Sequence, residues 1–305
     1  MQRFIKFIIC SLLLFIVLDR GFGYIIEQLY FNAKGGIIAE TNYAINKTKE
    51  DIIILGSSRA KHHYISNQIR DSLGLTVYNA GRDGHMLFYQ TALLRSTFKR
   101  YNPKLIILDF NGNLQYTSKD YDRLATLLPY YDSNPEIKDI IHLKSYSEKF
   151  KLLISKLYRF NSKLPSIVNA FLKVSENKLG GYNPLIGEYT DNSHEQNKFK
   201  EELIIDDNKL KYYKEIIRLC ENNNTRLLIV SSPYFSFNFK NTKSIKLAKN
   251  IAKSNNIQFL DYSNNKFFLG RSDIFFDYDH LNNKGADLFT KNIIHSVKDL
   301  NLIVN

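Results

Sequence analysis

Two serines follow a short apolar run near residue 50. The run Ile52 to Leu55 has no polar member, as in strands of parallel sheets that are covered on both faces. Gly56 permits a tight turn after this run, and Ser57 and Ser58 come next. Open α/β sheets bind ligands at the carboxyl ends of their strands. A serine there is placed for nucleophilic chemistry, although both serines could instead cap the helix that begins near Ala60.

A histidine and two aspartates near the carboxyl terminus could activate such a serine. A serine hydroxyl is a poor nucleophile near neutral pH, so it needs a base, and the base needs a group that holds it in the right tautomer. His280 can be the base. Asp277, three residues earlier, can turn back to accept the Nδ1 proton and leave Nε2 for Ser58. Asp279 is the alternative, but side chains of adjacent residues point apart.

The elements that must position these residues are predicted from apolar runs and helical patterns. Strands are predicted at 52–55, 75–78, 105–110, 226–230 and 257–260, with helices at 58–73, 86–101, 208–222, 243–253 and 283–300. Five strands that alternate with helices predict an α/β fold with a doubly wound parallel sheet. The alternation lapses from 114 to 202, which we interpret as a helical insertion over the crevice, with an amphipathic helix at 148–172.

Composition and charge exclude some classes of function. The chain has 305 residues and a net charge of +12, but its lysines are spread along the sequence without a basic stripe or a nucleic-acid motif, so no nucleic acid partner is expected. The positive charge suits an anionic envelope polymer or a membrane surface. Neither a glycine-rich phosphate loop nor a zinc-type ligand cluster is present in the sequence. We therefore expect no metal and no cofactor.

The amino terminus resembles an export signal. Phe4 to Leu18 is apolar apart from Lys6 and Ser11, and Arg3 precedes it. Because Asp19 to Gly21 follows instead of a small-residue cleavage site, an uncleaved signal anchor is favoured over a removed signal peptide. The positive-inside rule then places the main domain outside the cytoplasm, in the periplasm or on the outer cell surface. A buried amino-terminal helix is the alternative.

These observations predict the domain layout. Residues 1–26 form a signal anchor or transmembrane helix, and residues 27–50 form a juxtamembrane segment. Residues 51–305 form the α/β domain, which carries the insertion at 114–202.

Four short blocks stand at or after the carboxyl ends of predicted strands or near the end of the chain. They are Gly56-Ser57-Ser58, Asn79 to Gly84, Asn111 to Asn113, and Asp277 to His280. Their order and spacing resemble the SGNH/GDSL hydrolase family from about residue 51 to the final helix, apart from the insertion. The resemblance implies a flavodoxin-like SGNH fold and acyl transfer through an acyl-serine.

The resemblance also implies an oxyanion hole. Its donors would be the backbone N–H groups of Ser58 and Gly84 and the side-chain amide of Asn113, with Asn111 as the alternative amide. Preorganised donors of this kind stabilise the charge that develops on the carbonyl oxygen in the transition state. Ser58, His280 and Asp277 are the implied catalytic triad.

Other residues near the blocks bear on substrate and subfamily. Arg59 and His85 are candidate substrate contacts, because they adjoin the serine turn and the second block. Ser57 replaces the usual aspartate of the family, and Leu114 replaces the aspartate after the third block. The first replacement is seen in membrane-anchored acyl-transfer branches of the family, which places simple lipase-like activity in doubt.

The resemblance therefore implies a membrane-anchored esterase or O-acyltransferase for a cell-envelope polysaccharide. Anchored proteins of alginate O-acetylation and teichoic-acid D-alanylation have a similar layout, which implies an acylated glycan or polymer substrate and a membrane acyltransferase partner. The alternative is an inactive protein that keeps the fold and serves in binding or assembly. Hydrogen-bond contact between Ser58 Oγ and His280 Nε2 distinguishes the enzyme from this alternative.

Overall fold

The computed structural model describes residues 1–161, 163–172, 180–190, 204–236 and 242–303. The chain divides into two compact units. One combines residues 1–47 with 121–176, and the other combines 48–120 with 177–305. The middle of the segment predicted as an insertion thus belongs to the same unit as the amino-terminal segment, while its two ends belong to the second unit.

The second unit contains a parallel sheet whose strand order is β2-β1-β3-β4-β5. Its strands are β1 (Ile52–Leu55), β2 (Val77–Asn79), β3 (Leu105–Asp109), β4 (Arg226–Ser231) and β5 (Gln258–Asp261). The order reverses between β1 and β3, and open α/β sheets bind ligands beside such a reversal. The prediction of a five-stranded, doubly wound parallel sheet is confirmed.

The α-helices of the described residues range from 5 to 30 residues in length. In chain order they are α1 (Gln2–Phe31), α2 (Gly36–Asn46), α3 (Ser58–His63), α4 (Ser66–Leu73), α5 (Leu87–Phe98), α6 (Ser118–Asp122), α7 (Lys138–His142), α8 (Glu148–Ile154), α9 (Leu164–Leu172), α10 (Asp207–Asn222), α11 (Thr242–Ser254) and α12 (Asn283–Asp299). Short 3-10 helices span Arg123–Tyr130, Pro135–Ile137, Leu157–Phe160 and Ser272–Ile274.

The central strands are buried on both faces. Ile52 and Ile54 of β1 belong to a hydrophobic core that includes Phe289 and Ile293 of α12. Ile53 alternates with them along the strand and is also buried, so its side chain points to the opposite face. Burial on both faces explains why this strand appears in the sequence as an uninterrupted apolar run.

The helix predicted at 58–73 is two helices, α3 and α4. Tyr64 leaves the helical conformation with φ −117° and ψ 110°. Its carbonyl accepts a hydrogen bond from the Asn79 amide at 3.1 Å, and the Ile65 N–H donates to Thr290 Oγ1 at 3.0 Å. These distant partners replace the hydrogen bonds of a continuous helix, so the local sequence pattern could not predict the break.

The helix predicted at 148–172 is also interrupted, within the first unit. Helix α8 ends before Ser155, which is extended with φ −121° and ψ 125°. The Ser155 hydroxyl and the Lys156 N–H donate to the Asp19 carboxylate at 2.6 and 2.7 Å. Asp19 lies on α1, so the interruption serves the packing of the amino-terminal helix on this segment.

Helix α1 differs from the predicted anchor. It continues through Asp19 and Arg20 to Phe31, and the Asp19 side chain is buried. Burial alone would raise the pKa of Asp19, but its hydrogen bonds to Ser155 and to backbone N–H groups hold that pKa below the ordinary value. In the part of the chain that the structure describes, no helix has the length and apolar character needed to cross a membrane. The prediction of a transmembrane helix within residues 1–26 is therefore not supported.

Candidate active site

Ser58 is the first residue of α3 and follows the turn that ends β1. The turn requires a glycine, because a Cβ on Gly56 would lie 2.5 Å from Cβ of Ala60 and 2.9 Å from Cβ of Asp109. Real Cβ atoms do not approach other atoms so closely. The start of α3 and the end of β3 thus pack directly on the turn, which places Ser58 at the carboxyl edge of the sheet.

The carboxyl-terminal loop brings His280 and Asp277 to this serine, although His280 and Ser58 are 222 positions apart in the sequence. Nε2 of His280 lies 2.7 Å from Oγ of Ser58. Nδ1 of His280 lies 2.9 Å from each carboxylate oxygen of Asp277. When Nδ1 carries the proton and donates it to Asp277, Nε2 can accept the serine proton. The structure thus brings the three predicted residues together.

Asp277, and not Asp279, faces the imidazole. Its Oδ1 also accepts the backbone N–H groups of Asp279 and His280, both at 2.8 Å. Partial burial would raise the pKa of Asp277, but the hydrogen bonds from the His280 ring and from these two N–H groups hold the pKa below its ordinary value. The carboxylate is therefore ionised near neutral pH, as a group that orients an imidazole must be.

The loop ends in a side-chain cap of α12. The Asn282 side-chain oxygen accepts the N–H of Gly285 at 3.1 Å, which satisfies a free donor of the first helical turn. The Asn282 amide donates to the carbonyl of Gly187 at 2.8 Å. Within the loop, the N–H of Phe276 donates to the carbonyl of His280 at 2.8 Å. The closing block of the sequence thus folds as a compact turn fixed to the start of a helix.

Two further histidines, His62 and His63, pack against His280. Both are buried, and their ring centroids lie 5.6 and 6.2 Å from that of His280 in edge-to-face arrangements. Nδ1 of His62 lies 2.6 Å from the carbonyl oxygen of Asn183, and its Nε2 lies 3.5 Å from Asp83. Their only sequence signal was their position four and five residues after Ser58, which does not by itself indicate burial.

The candidate substrate contact Arg59 is buried beneath the site. Its guanidinium donates to the carbonyl and hydroxyl oxygens of Ser232, the latter at 2.8 Å. It also lies 3.7 Å from the centroid of the Tyr234 ring. Arg59 therefore joins α3 to the segment after β4, and its contact with substrate stays a prediction.

Asn113, the predicted oxyanion amide, has other partners. Its Nδ2 donates to Asp120 at 3.2 Å, and its Oδ1 accepts from Nζ of Lys209 at 2.9 Å. Lys209 is fully buried, with Nζ 2.5 Å from the Asp120 carboxylate. A buried ammonium needs such partners. The Asn113 side chain is therefore bonded to Asp120 and Lys209, which does not favour its predicted role in the oxyanion hole.

The alternative amide, Asn111, fits the register of the sheet. Leu55 of β1 pairs with Leu108 of β3, and Ser58 and Asn111 each follow their strand's paired leucine by three positions. Both therefore leave the sheet at the same level of its carboxyl edge. The Asn111 amide donates to the thioether of Met86 at 3.3 Å, which is a weak acceptor.

The second block forms a turn after β2. Gly84 has φ +70°, a conformation that favours glycine. Nδ1 of His85 lies 2.8 Å from the carbonyl oxygen of Asp83, and its Nε2 accepts from Nε of Arg82 at 3.3 Å. The oxyanion role of Gly84 and the substrate contact of His85 stay predictions.

Sequence reasoning missed the part that Ser232 has in this site. Its Oγ lies 2.8 Å from Nη2 of Arg59 and 3.2 Å from Nδ1 of His63. The sequence did contain a signal for this residue, because Ser232 directly follows β4 and so lies at the same edge of the sheet as Ser58. Across the described ranges, no group of three or more His, Cys, Asp or Glu side chains could hold a metal ion.

No protein-family model matches this chain, and no curated protein matches it. Among solved structures, it is similar to a GDSL-like lipase from Bacteroides thetaiotaomicron at 12% identity, with a TM-score of 0.44, over 89% of this chain and 99% of that chain. It is also similar to an acetyl xylan esterase at 12% identity, with a TM-score of 0.42, over 81% of this chain and 99% of that chain.

The buried His63 predicts a pH dependence of stability. Burial, together with the charges of Arg59, His280 and His62, holds its pKa well below 6.5 in the folded protein. In the unfolded chain the pKa of this histidine returns to about 6.5. The unfolded state then binds more protons, so the free energy of unfolding falls as the pH drops below 6.5 toward the folded pKa.

We expect His63→Gln to lose part of this slope in urea unfolding measured between about pH 7.5 and 5. The matched control is His295→Asn, because the His295 side chain is mostly exposed, and this control should keep the slope of the wild type. The same slope in His63→Gln and in the wild type would contradict the prediction.

Proposed function

We propose that this chain is a serine esterase or O-acyltransferase of the SGNH/GDSL type. The observation that carries the proposal is the assembled triad, with Ser58 Oγ 2.7 Å from His280 Nε2 and Nδ1 2.9 Å from the Asp277 carboxylate. A protein that kept the fold only for binding would not need Ser58, His280 and Asp277 to be hydrogen-bonded in this sequence. The contact between serine and histidine thus supports the enzyme over the binding alternative.

The geometry supports a two-step reaction. Nε2 of His280 takes the proton of Ser58 as Oγ attacks the acyl carbonyl, and Asp277 stabilises the imidazolium that forms. The imidazolium then gives its proton to the departing alkoxide, which leaves the acyl group on Ser58. In the second step His280 removes a proton from water or from a sugar hydroxyl, and that oxygen takes the acyl group while Ser58 regains its proton.

An oxyanion hole completes the proposed mechanism. The backbone N–H of Ser58 at the start of α3 and that of Gly84 are the proposed backbone donors. Asn111 is the proposed side-chain donor, and the bonds of Asn113 to Asp120 and Lys209 support this choice.

The proposed substrate is an acylated cell-envelope polysaccharide. The net charge of +12 suits an acidic polymer, and the sequence resemblance to anchored acyl-transfer proteins supports both the polymer and a membrane acyltransferase partner. Transfer to a sugar hydroxyl and hydrolysis both use the same acyl-serine.

Ser58→Ala tests the reaction class. A fluorophosphonate probe should label the wild-type protein covalently, and Ser58→Ala should remove the labelling because no other residue holds the nucleophilic position. Ser57→Ala is the matched control and should be labelled like the wild type, since its buried side chain makes no capping hydrogen bond. A wild-type protein that takes up no probe would overturn the proposed function.

A pair of asparagine variants tests the oxyanion hole. Asn111→Ala should lower kcat for p-nitrophenyl acetate by about 10²–10³-fold, because it removes one donor to the oxyanion. Asn113→Ala should leave kcat within a few-fold and instead lower the free energy of unfolding by about 1–3 kcal/mol, since Lys209 loses an acceptor. The reverse pattern would restore Asn113 to the oxyanion hole.

The proposed location is the extracytoplasmic side of a membrane, to which the amino-terminal half of α1 attaches. Supporting this, the large apolar side chains between residues 4 and 18 are exposed. Arg3 and Lys6 lie at the same end of α1 and suit anionic headgroups.

Flotation with phosphatidylglycerol-containing vesicles tests the attachment. The wild-type protein should rise with the vesicles, and a Leu13→Glu/Val17→Glu double variant should remain largely behind, because charges on the exposed face oppose insertion among acyl chains. Ile186→Glu is the control, with a similarly exposed apolar residue in the other unit. Wild-type protein that stays at the bottom of the gradient would contradict the attachment.

A further inference from the structure

His63 lies where three segments that carry the site meet. It is the last residue of α3, five positions after Ser58, and its side chain is fully buried. Its ring contacts the segment after β4 through Ser232 and the residue after His280 through Leu281. A single imidazole thus touches the elements that bear the nucleophile and the base.

The hydrogen bonds of His63 define its tautomer. The backbone N–H of Leu281 donates to Nε2 at 3.0 Å, so Nε2 carries the lone pair. The proton is then on Nδ1, which donates to Oγ of Ser232 at 3.2 Å. Both ring nitrogens are satisfied only in the neutral form, because an imidazolium would place two N–H groups against each other at Leu281.

The backbone N–H of Phe235 also donates to the carbonyl of Tyr278 at 3.2 Å, which joins the His280 loop to the segment after β4, whereas three other bonds act within the loop. Asp277 accepts the N–H groups of Asp279 and His280, and the Phe276 N–H donates to the carbonyl of His280. These bonds shape the turn and orient the imidazole of His280 toward Asp277. They do not join the turn to α3, whereas the bond from Leu281 to His63 does so one residue from the base.

We propose that His63 is a positioning residue that holds the His280 loop at the correct distance from Ser58 through the backbone N–H of Leu281. The inference rests on the proposed function and adds to it a residue outside the triad. Catalytic groups must be held within about 0.5 Å of the productive geometry, and a displacement of about 1 Å can cost roughly 10²-fold in rate. Loss of the Leu281 bond should therefore slow acylation while the triad residues remain present.

Two substitutions separate the two bonds of His63. The amide of Asn reaches about as far as Nδ1, so His63→Asn can still donate to Ser232 but cannot reach Leu281. The amide of Gln reaches about as far as Nε2, so the side-chain oxygen of His63→Gln can still accept the Leu281 N–H. Both variants remove the ring, and each keeps one of the two bonds of His63, so their comparison shows which of the two bonds the rate depends on.

The experiment measures fluorophosphonate labelling rates and the kinetics of p-nitrophenyl acetate hydrolysis at neutral pH. We expect His63→Asn to lower the labelling rate and kcat by about 10- to 100-fold with KM nearly unchanged. His63→Gln should keep a labelling rate and a kcat much closer to those of the wild type. Urea unfolding of each variant gives the folded fraction under assay conditions, to which the rates are normalised, and His295→Asn serves as the remote control.

The outcomes distinguish this inference from the proposed function. If the wild-type protein is not labelled, the proposed function fails. If the wild type is labelled and folded His63→Asn reacts at the same rate, the positioning role is overturned while the proposed function stands. The same holds if folded His63→Gln loses as much activity as His63→Asn, because the Leu281 bond would then not explain the loss.

Discussion

The proposed chemistry of the second unit depends on one contact, the 2.7 Å hydrogen bond between Ser58 and His280. Parallel strands bring their carboxyl ends to the same edge, so a residue after β1 and a loop before α12 can meet there only if α12 packs on the sheet beside α3. Phe289 of α12 does so, with its ring 5.2 Å from that of Tyr64. The hydrophobic core therefore fixes the separation of two polar atoms that are remote in sequence.

Polar groups beneath the site are buried at a cost in stability. Burial raises the pKa of Asp109, although the charge of Arg59 and the hydroxyls of Ser232 and Tyr64 oppose this rise. The Tyr64 hydroxyl donates to Oδ2 of Asp109 at 2.7 Å, but Oδ1 has no partner among the described residues, and neither do Nε and Nη1 of Arg59. Each unmatched buried polar atom costs about 1–3 kcal/mol. Buried polar atoms without hydrogen-bond partners are expected where the geometry of a site is kept at the expense of local stability.

The sequence predicted those features that depend on local pattern. The run Ile52 to Leu55 indicated a covered strand because burial on both faces removes polar residues from it. The spacing of Asp277 and His280 predicted their contact because one turn of chain brings them together. The break after α3 was not predictable, since it depends on Thr290, which becomes a neighbour of Ile65 only after α12 has packed. The extent of α1 likewise depends on partners distant in sequence.

The choice between two asparagines shows the same limit at the level of a single side chain. Asn111 and Asn113 have the same chemistry, and motif spacing favoured Asn113. The observation that favours Asn111 instead is the bonding of Lys209, whose buried ammonium would be strongly destabilising without acceptors and is bonded to Asp120 and to the Asn113 oxygen. The loop after β3 is thereby fixed by a cation 96 positions away. Asn111 leaves the same sheet edge at the level of Ser58, since Leu55 pairs with Leu108, and it is for that reason the proposed third donor.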